Sequence, residues 1–171
     1  MTSRNITKDK LETRVLTLDN SEGINKVLEL EKQAFNQGAM TLWAIAPFII
    51  SQTILINLIN DEICSYGIFL FDKDPERLFF FSFAMDKRYR GKGLGKYFFK
   101  EVIDYMFKEY PRIQNISLTV DETKPQNVEM FKKIGFKEKE RFKDFYGKGI
   151  DRLQMTLNKK DFAIESYDQL S

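Results

Sequence analysis

The sequence predicts an α+β domain whose elements run in the order βααβββαβαββ, and three observations lead there. Segments with a period of two are interleaved with segments of helical period, not grouped in blocks. Glycine, proline, asparagine and aspartate punctuate the joins between them. A chain of 171 residues with 16 phenylalanines fits one domain around one sizeable core. The expected layout is a single domain over 1–171, with a core of about 13–157 and a polar tail over 158–171.

Residues 13–18 alternate and predict the first strand. Asp19 with Glu22 makes a capping-box pattern. The helix behind it sets Ile24, Val27, Leu28, Glu31, Ala34 and Phe35 on or near one face, and Gly38 ends it. Residues 40–50 are apolar but contain Pro47, which points to a second, short or kinked helix. Strands over 53–60 and 63–71 flank Asn60-Asp61-Glu62 as a hairpin. After a turn at 72–75, residues 78–85 are apolar on both faces, the pattern of a central, buried strand. A long amphipathic helix follows, with Leu94, Tyr97, Phe98, Glu101, Val102, Tyr105 and Met106 at helical spacing and Pro111 closing it. Residues 116–120 predict another buried strand, and 125–133 a short helix stopped by Gly135. Two last strands, 136–145 and 151–157, surround a turn at Tyr146 to Gly149.

Composition excludes several functions. The 27 basic and 25 acidic side chains are scattered, without the basic face of a dedicated nucleic-acid binder. Cys64 is the only cysteine, so no intramolecular disulfide is possible and a reducing, cytoplasmic setting fits. The absence of histidine removes Ser-His and Cys-His nucleophile pairs and argues against a metal site. The first ten residues lack the apolar stretch of a signal peptide, so Asn5-Ile6-Thr7 reads as a chance sequon. No apolar run is long enough to span a membrane. Monomer and homodimer are both compatible with the sequence.

The most informative feature is the loop Arg90-Gly91-Lys92-Gly93-Leu94-Gly95 between a strand and a helix. A helix N-terminus carries unpaired amides and partial positive charge, and glycines let the backbone approach an anion closely. Arg90, Lys92 and Lys96 add positive charge around such a site. The spacing fits neither the dinucleotide fingerprint nor a Walker loop, since Lys96 is followed by Tyr97.

Written R-x-x-G-x-G after a strand, this loop resembles that of the GNAT superfamily of acyl-CoA N-acyltransferases. Ile134-Gly135-Phe136 resembles the family's G-F block, and Phe145-Tyr146 followed by Asp151 to Met155 resembles its closing hairpin. The resemblance implies a mixed, mostly antiparallel central sheet flanked by helices. It implies acetyl-CoA as acyl donor, without a metal, and transfer to a primary amine of a small molecule or peptide by direct attack in a ternary complex. Gly91 through Lys96, anchored by Arg90, correspond to the pyrophosphate loop. Phe83-Ala84-Met85 correspond to the splayed strand end that pairs with the pantetheine arm and polarises the thioester carbonyl. Asn127 is the candidate for the family's cofactor-contacting asparagine.

The usual catalytic pair is missing. The position at which many relatives carry a carboxylate base is Thr119, and the tyrosine commonly used as acid is replaced by Phe131. Tyr146 is the substitute acid that the resemblance offers, with a strand-end aromatic as its alternative role. Glu31 and Phe35, in the pattern Glu31-Lys-Gln-Ala-Phe35, correspond to a helix facing the acceptor groove. There Glu31 either takes the amine's proton through water, anchors a cationic substrate, or is simply solvated. Asp121 and Glu122 read as solvent-facing or capping groups. Trp43, Phe48 and Cys64 read as packing residues, with Trp43 also a candidate for the acceptor slot. An α-amine of pKa near ~8 is roughly a tenth neutral at pH 7, against about one in two thousand for a lysine amine. A weakly basic site therefore favours α-amines. A binding or sensor module that retains the acyl-CoA site without turnover is the alternative function.

Overall fold

The structure is a computed structural model and describes residues 11–162, so the sequon at Asn5 and the last residues of the tail lie outside it. Seven strands form one sheet in the order β1-β2-β3-β4-β5-β7-β6. Four of the strand pairs, β1–β2, β2–β3, β5–β7 and β6–β7, are antiparallel, and β4–β5 is parallel. The mixed, mostly antiparallel sheet is the expected one. The described residues group into two compact units, one of residues up to Ile68 with Ser82–Val102, the other of Phe69–Phe81 with residues from Ile103 on.

In the first unit, β1 (Leu11–Val15) pairs with β2 (Ile54–Ile59) and starts two residues earlier than the sequence predicts. Leu16 still donates its N–H to Ile54 O at 2.8 Å, but Thr17 O then accepts from Asn20 N–H, and this turn takes the chain off the ladder. Helix α1 (Ser21–Phe35) is capped by Asn20, whose side chain accepts from Gly23 N–H at 2.8 Å, and not by the predicted Asp19–Glu22 box. Its buried stripe runs through Val27, Leu30 and Glu31, whereas Ala34 and Phe35 are exposed. Helix α2 (Leu42–Ile50) contains Pro47 as expected and buries Ile45 and Ile49. The hairpin from β2 into β3 (Glu62–Phe71) turns on Asn60 and Asp61, with φ of 51° and 64°. Two left-handed residues are what a tight hairpin with the native twist requires. Buried Asn57 ties these elements together: its Nδ2 donates to Ser65 Oγ and to Phe98 O, and its Oδ1 accepts from Thr13 Oγ1.

The second unit holds the parallel ladder between β4 (Arg77–Met85) and β5 (Asn115–Val120). Its pairs are Arg77↔Asn115, Leu78↔Ile116 and Phe79↔Ser117, and both strands run on past the last of them. β4 is central, but it is not buried on both faces as the sequence suggests, since Phe81 is 42% exposed and Phe79, Ser82, Phe83 and Met85 are half-buried. The long helix α3 (Gly95–Glu109) buries Phe98, Phe99, Val102, Ile103, Met106 and Phe107, a stripe shifted from the predicted one. Helix α4 (Pro125–Ile134) begins with proline at its first turn and ends on Gly135 at φ 112°. β6 (Lys137–Phe142) stops short of the predicted 145, because Asp144 turns left-handed and donates its N–H to Asp151. β7 (Arg152–Asn158) and a 3-10 turn at Lys159–Asp161 give the start of the tail a fixed place. Among the described residues, no helix is long and apolar enough to cross a membrane.

Candidate functional site

The loop after β4 is built to present backbone amides. Gly91 and Gly93 have φ of 72° and 71°, a region that favours glycine, and a Cβ at either would meet nothing within 4 Å. The first helical bond of α3 runs from Phe98 N–H to Leu94 O. Among the described residues no hydrogen bond is donated by the N–H of Gly91, Lys92, Gly93, Leu94 or Gly95. Successive amides without a protein acceptor at a helix N-terminus are suited to a phosphate or diphosphate. The residues present therefore fit the pyrophosphate of a coenzyme. Lys92 is exposed and Lys96 half-buried at the same turn. Arg90 turns back instead, and its Nε donates to Met85 O at 2.9 Å, fixing the end of β4. Phe83 packs edge-to-face on Phe99 at 5.3 Å, while Ala84 is buried in the core.

A buried carboxylate that the sequence reading missed holds the loop in place. Asp86 is 2% exposed and accepts from Arg88 N–H at 2.9 Å, from the Arg88 guanidinium at 3.2 Å and from Lys26 Nζ at 2.9 Å. Burial pushes its pKa up, but the hydrogen bonds from Arg88 and Lys26 outweigh this and hold it well below the ordinary carboxylate range. Arg88 also donates to Glu62, so this arginine of the basic run Lys87-Arg88-Tyr89-Arg90-Gly91-Lys92 is committed to acids of its own chain. Asp86 directly precedes that cluster in sequence, and this is the one signal that pointed to it.

A second buried polar group belongs to helix α1 itself. Glu31 is 1% exposed and is therefore not a solvated helix glutamate. Its Oε1 accepts from the Tyr66 hydroxyl and, at 3.1 Å, from Ser82 Oγ, and its Oε2 accepts from Met40 N–H at 2.9 Å. Burial, followed by the charge and hydrogen bond of Glu31, raises the Tyr66 pKa. Nothing in the local sequence around Tyr66 or Ser82 marks either as a partner of Glu31, since the contacts span 35 and 51 residues. Phe35 is 43% exposed, and Trp43 at 86% exposed is a surface residue and not the packing residue the sequence suggested. Phe48 packs beside the core, and Cys64 is buried with its thiol donating to Asn57 O. Burial pushes that thiol up to about 12, which leaves it chemically inert.

The other sequence candidates belong to the second unit. Asn127 is half-buried in the first turn of α4, its N–H donating to Lys124 O at 2.9 Å. Tyr146 is 58% exposed in the β6–β7 loop, edge-to-face with Phe145 and with the Arg152 guanidinium 5.0 Å from its ring centre. Thr119 is half-buried on β5, and Phe131 packs edge-to-face on Phe136 at 5.7 Å. Asp121 caps the approach to α4 by accepting from Thr123 N–H and hydroxyl, and Glu122 pairs with Arg141. No group of three or more acidic, cysteine or histidine side chains suited to a metal occurs among the described residues.

A family model described as the acetyltransferase (GNAT) family matches residues 24–136. No curated sequence matches the chain. Solved structures share its fold. The ribosomal-protein-S18-alanine N-acetyltransferase from Escherichia coli superposes with a TM-score of 0.72 at 16% identity, covering 94% of this chain and 99% of that one. A chimeric spermidine N-acetyltransferase SpeG from Vibrio cholerae and hSSAT gives 0.73 at 16% identity, covering 88% and 96%. A chain of the NatC complex bound to Gag peptide and CoA gives 0.73 at 16% identity, covering 87% and 98%.

Proposed function

Since the chain belongs to the acetyltransferase (GNAT) family, we propose that it transfers an acetyl group from acetyl-CoA to a primary amine by direct attack in a ternary complex. The observation that carries this reading is the row of undonated amides from Gly91 to Gly95 at the start of α3. Those amides, with Lys92 and Lys96, would hold the pyrophosphate, while the strand end Phe83-Ala84-Met85 pairs with the pantetheine arm. A backbone N–H there polarises the thioester carbonyl, a contribution of about 3 kcal/mol in other enzymes. Arg90 supports that role indirectly, by fixing the Met85 carbonyl. Asn127 is assigned to the coenzyme, Phe35 and Trp43 to the acceptor side, and Tyr146 to protonation of the departing thiolate. The acceptor is an amine of a small molecule or peptide, and an α-amine is more often neutral at pH 7 than a lysine amine. The family match spans residues of both compact units, which supports reading them as one domain. A single cysteine, kept as a buried thiol, supports a cytoplasmic setting.

A second reading rests on Thr119 and on Phe131, whose ring is committed to Phe136: a coenzyme-binding module without turnover. One assay separates the two. Purified protein is incubated with acetyl-CoA and a panel of α-amino peptides, polyamines and amino acids, and thiol release is followed. Acylated amine formed in step with thiol supports the enzyme, and coenzyme binding with no release for any amine supports the module.

A further inference from the structure

We propose that Ser82 and Glu31 form the proton-accepting path of the acceptor site, with Ser82 Oγ as the group that meets the amine and Glu31 as the buried carboxylate acting through it. The inference rests on the acetyltransferase reading and supplies the base that Thr119 cannot provide. An amine must lose a proton as it becomes an amide, and β4 carries no carboxylate of its own.

Glu31 has the character that role requires. It is 1% exposed, and no ion pair among the described residues involves it. A buried carboxylate without a cation is costly unless its lone pairs are filled by donors. Here they are filled by neutral groups only: Tyr66 from β3, Ser82 from β4, and Met40 N–H from the connection between α1 and α2. The carboxylate is therefore held in place by neutral donors, with no cation beside it among the described residues. A purely structural link between these elements needs no charge, since a glutamine of the same shape offers the same number of hydrogen-bonding positions and hydroxyls rotate to suit it.

Of the two hydroxyls bound to Glu31, one belongs to a residue that keeps some exposure. Tyr66 is fully buried, whereas Ser82 is half-buried and immediately precedes Phe83-Ala84-Met85, the segment assigned to the thioester. Its Oγ lies 3.1 Å from Glu31 Oε1, and Tyr66 Oη lies 3.3 Å from the same Oγ. In the reaction the amine nitrogen forms its bond to the acetyl carbon and the C–S bond breaks, with the electron pair leaving on sulfur. The amine proton passes to Ser82 Oγ as the hydroxyl proton passes to Glu31 Oε1. The coenzyme thiolate is protonated by Tyr146 or water, and Glu31 returns its proton to solvent by the same path.

Two substitutions test this. Ser82→Ala leaves the bonds of Glu31 to Tyr66 and Met40 intact and removes only the path. Glu31→Gln keeps the shape and removes the charge. Both are expected to bind coenzyme A within about twofold of wild type by calorimetry and to lose roughly 100-fold in kcat/KM for the best amine. Their kcat/KM should rise with pH up to the pKa of the free amine, because only amine already neutral in solution reacts. Wild-type rate and pH profile in Ser82→Ala would overturn the path, and Ser82→Ala decides alone should Glu31→Gln fail to fold. Failure of the acetyltransferase reading looks different: wild-type protein would then release no thiol at all.

Discussion

The charged residues around the glycine loop read alike in sequence and differ in the fold. Arg90 reads as a phosphate anchor, yet it is bound to the Met85 carbonyl, while neighbouring Arg88 is bound to Asp86 and Glu62. Glu62 lies 26 residues away, Asp86 is buried and the partner of Arg90 is a backbone carbonyl, none of which a single sequence displays. Asp86→Asn should therefore destabilise the protein by roughly 2 kcal/mol at neutral pH, the scale of hydrogen bonds to charged groups. Because the native pKa of Asp86 is depressed, its contribution is full above the unfolded value near ~3.9 and fades as pH falls through the native one. Urea titrations at pH 7 and pH 3 should show the gap between wild type and variant narrowing at the lower pH. An equal gap at both would mean that Asp86 acts by packing. At Tyr146 the expected effect is on rate. Tyr146→Phe should lower turnover by about 100-fold at most while leaving coenzyme A affinity unchanged, because a thiolate of moderate basicity asks little of its acid. Unchanged turnover would make Tyr146 a surface aromatic and leave the proton to water.

At the scale of elements, the sequence displayed existence and type better than limits. The hairpin at Asn60-Asp61 and the α4 stop at Gly135 were legible because each depends on local dihedral chemistry. The ends of β1 and β6 were not, because ladder partners and turns at Thr17 and Asp144 decide where pairing stops. The exposure of Phe81 was also hidden, since an apolar run looks the same whether or not a neighbour covers it. Gly135 gives a sharp test of the local argument. At φ 112° an added Cβ would lie 2.8 Å from Asp161 O and 3.2 Å from Leu157 Cδ1. Gly135→Ala combines backbone strain with a clash against main chain, so a loss of about 2 kcal/mol or more is expected. A thermal midpoint within a degree or two of wild type would show that the G-F turn relaxes freely.

For the whole molecule, fold and cofactor class were more legible than catalytic chemistry. The glycine loop, the G-F turn and the closing hairpin are short local patterns, and the family match covers residues 24–136. The Glu31–Tyr66–Ser82 cluster comes together only when α1, β3 and β4 assemble, so sequence gave Glu31 as one candidate among several. A ligand that binds only the native state stabilises it by mass action, by about 2.7 kcal/mol at a hundredfold excess over Kd. Coenzyme A should thus raise the melting temperature of the wild-type protein by several degrees at millimolar concentration.

The central claim is that the amides of Gly91 to Gly95 hold the pyrophosphate, and Gly93→Glu tests it most directly. At φ 71° with nothing within 4 Å of the added Cβ, the substitution costs about 1 kcal/mol of backbone strain and clashes with nothing in the free protein. It sets a carboxylate where a diphosphate should lie. Calorimetric titration with acetyl-CoA, run on wild type and variant side by side, should give micromolar binding in the first and at least a hundredfold loss in the second. Equal affinity in the two, or no binding to a folded wild-type protein at millimolar acetyl-CoA, would contradict the account.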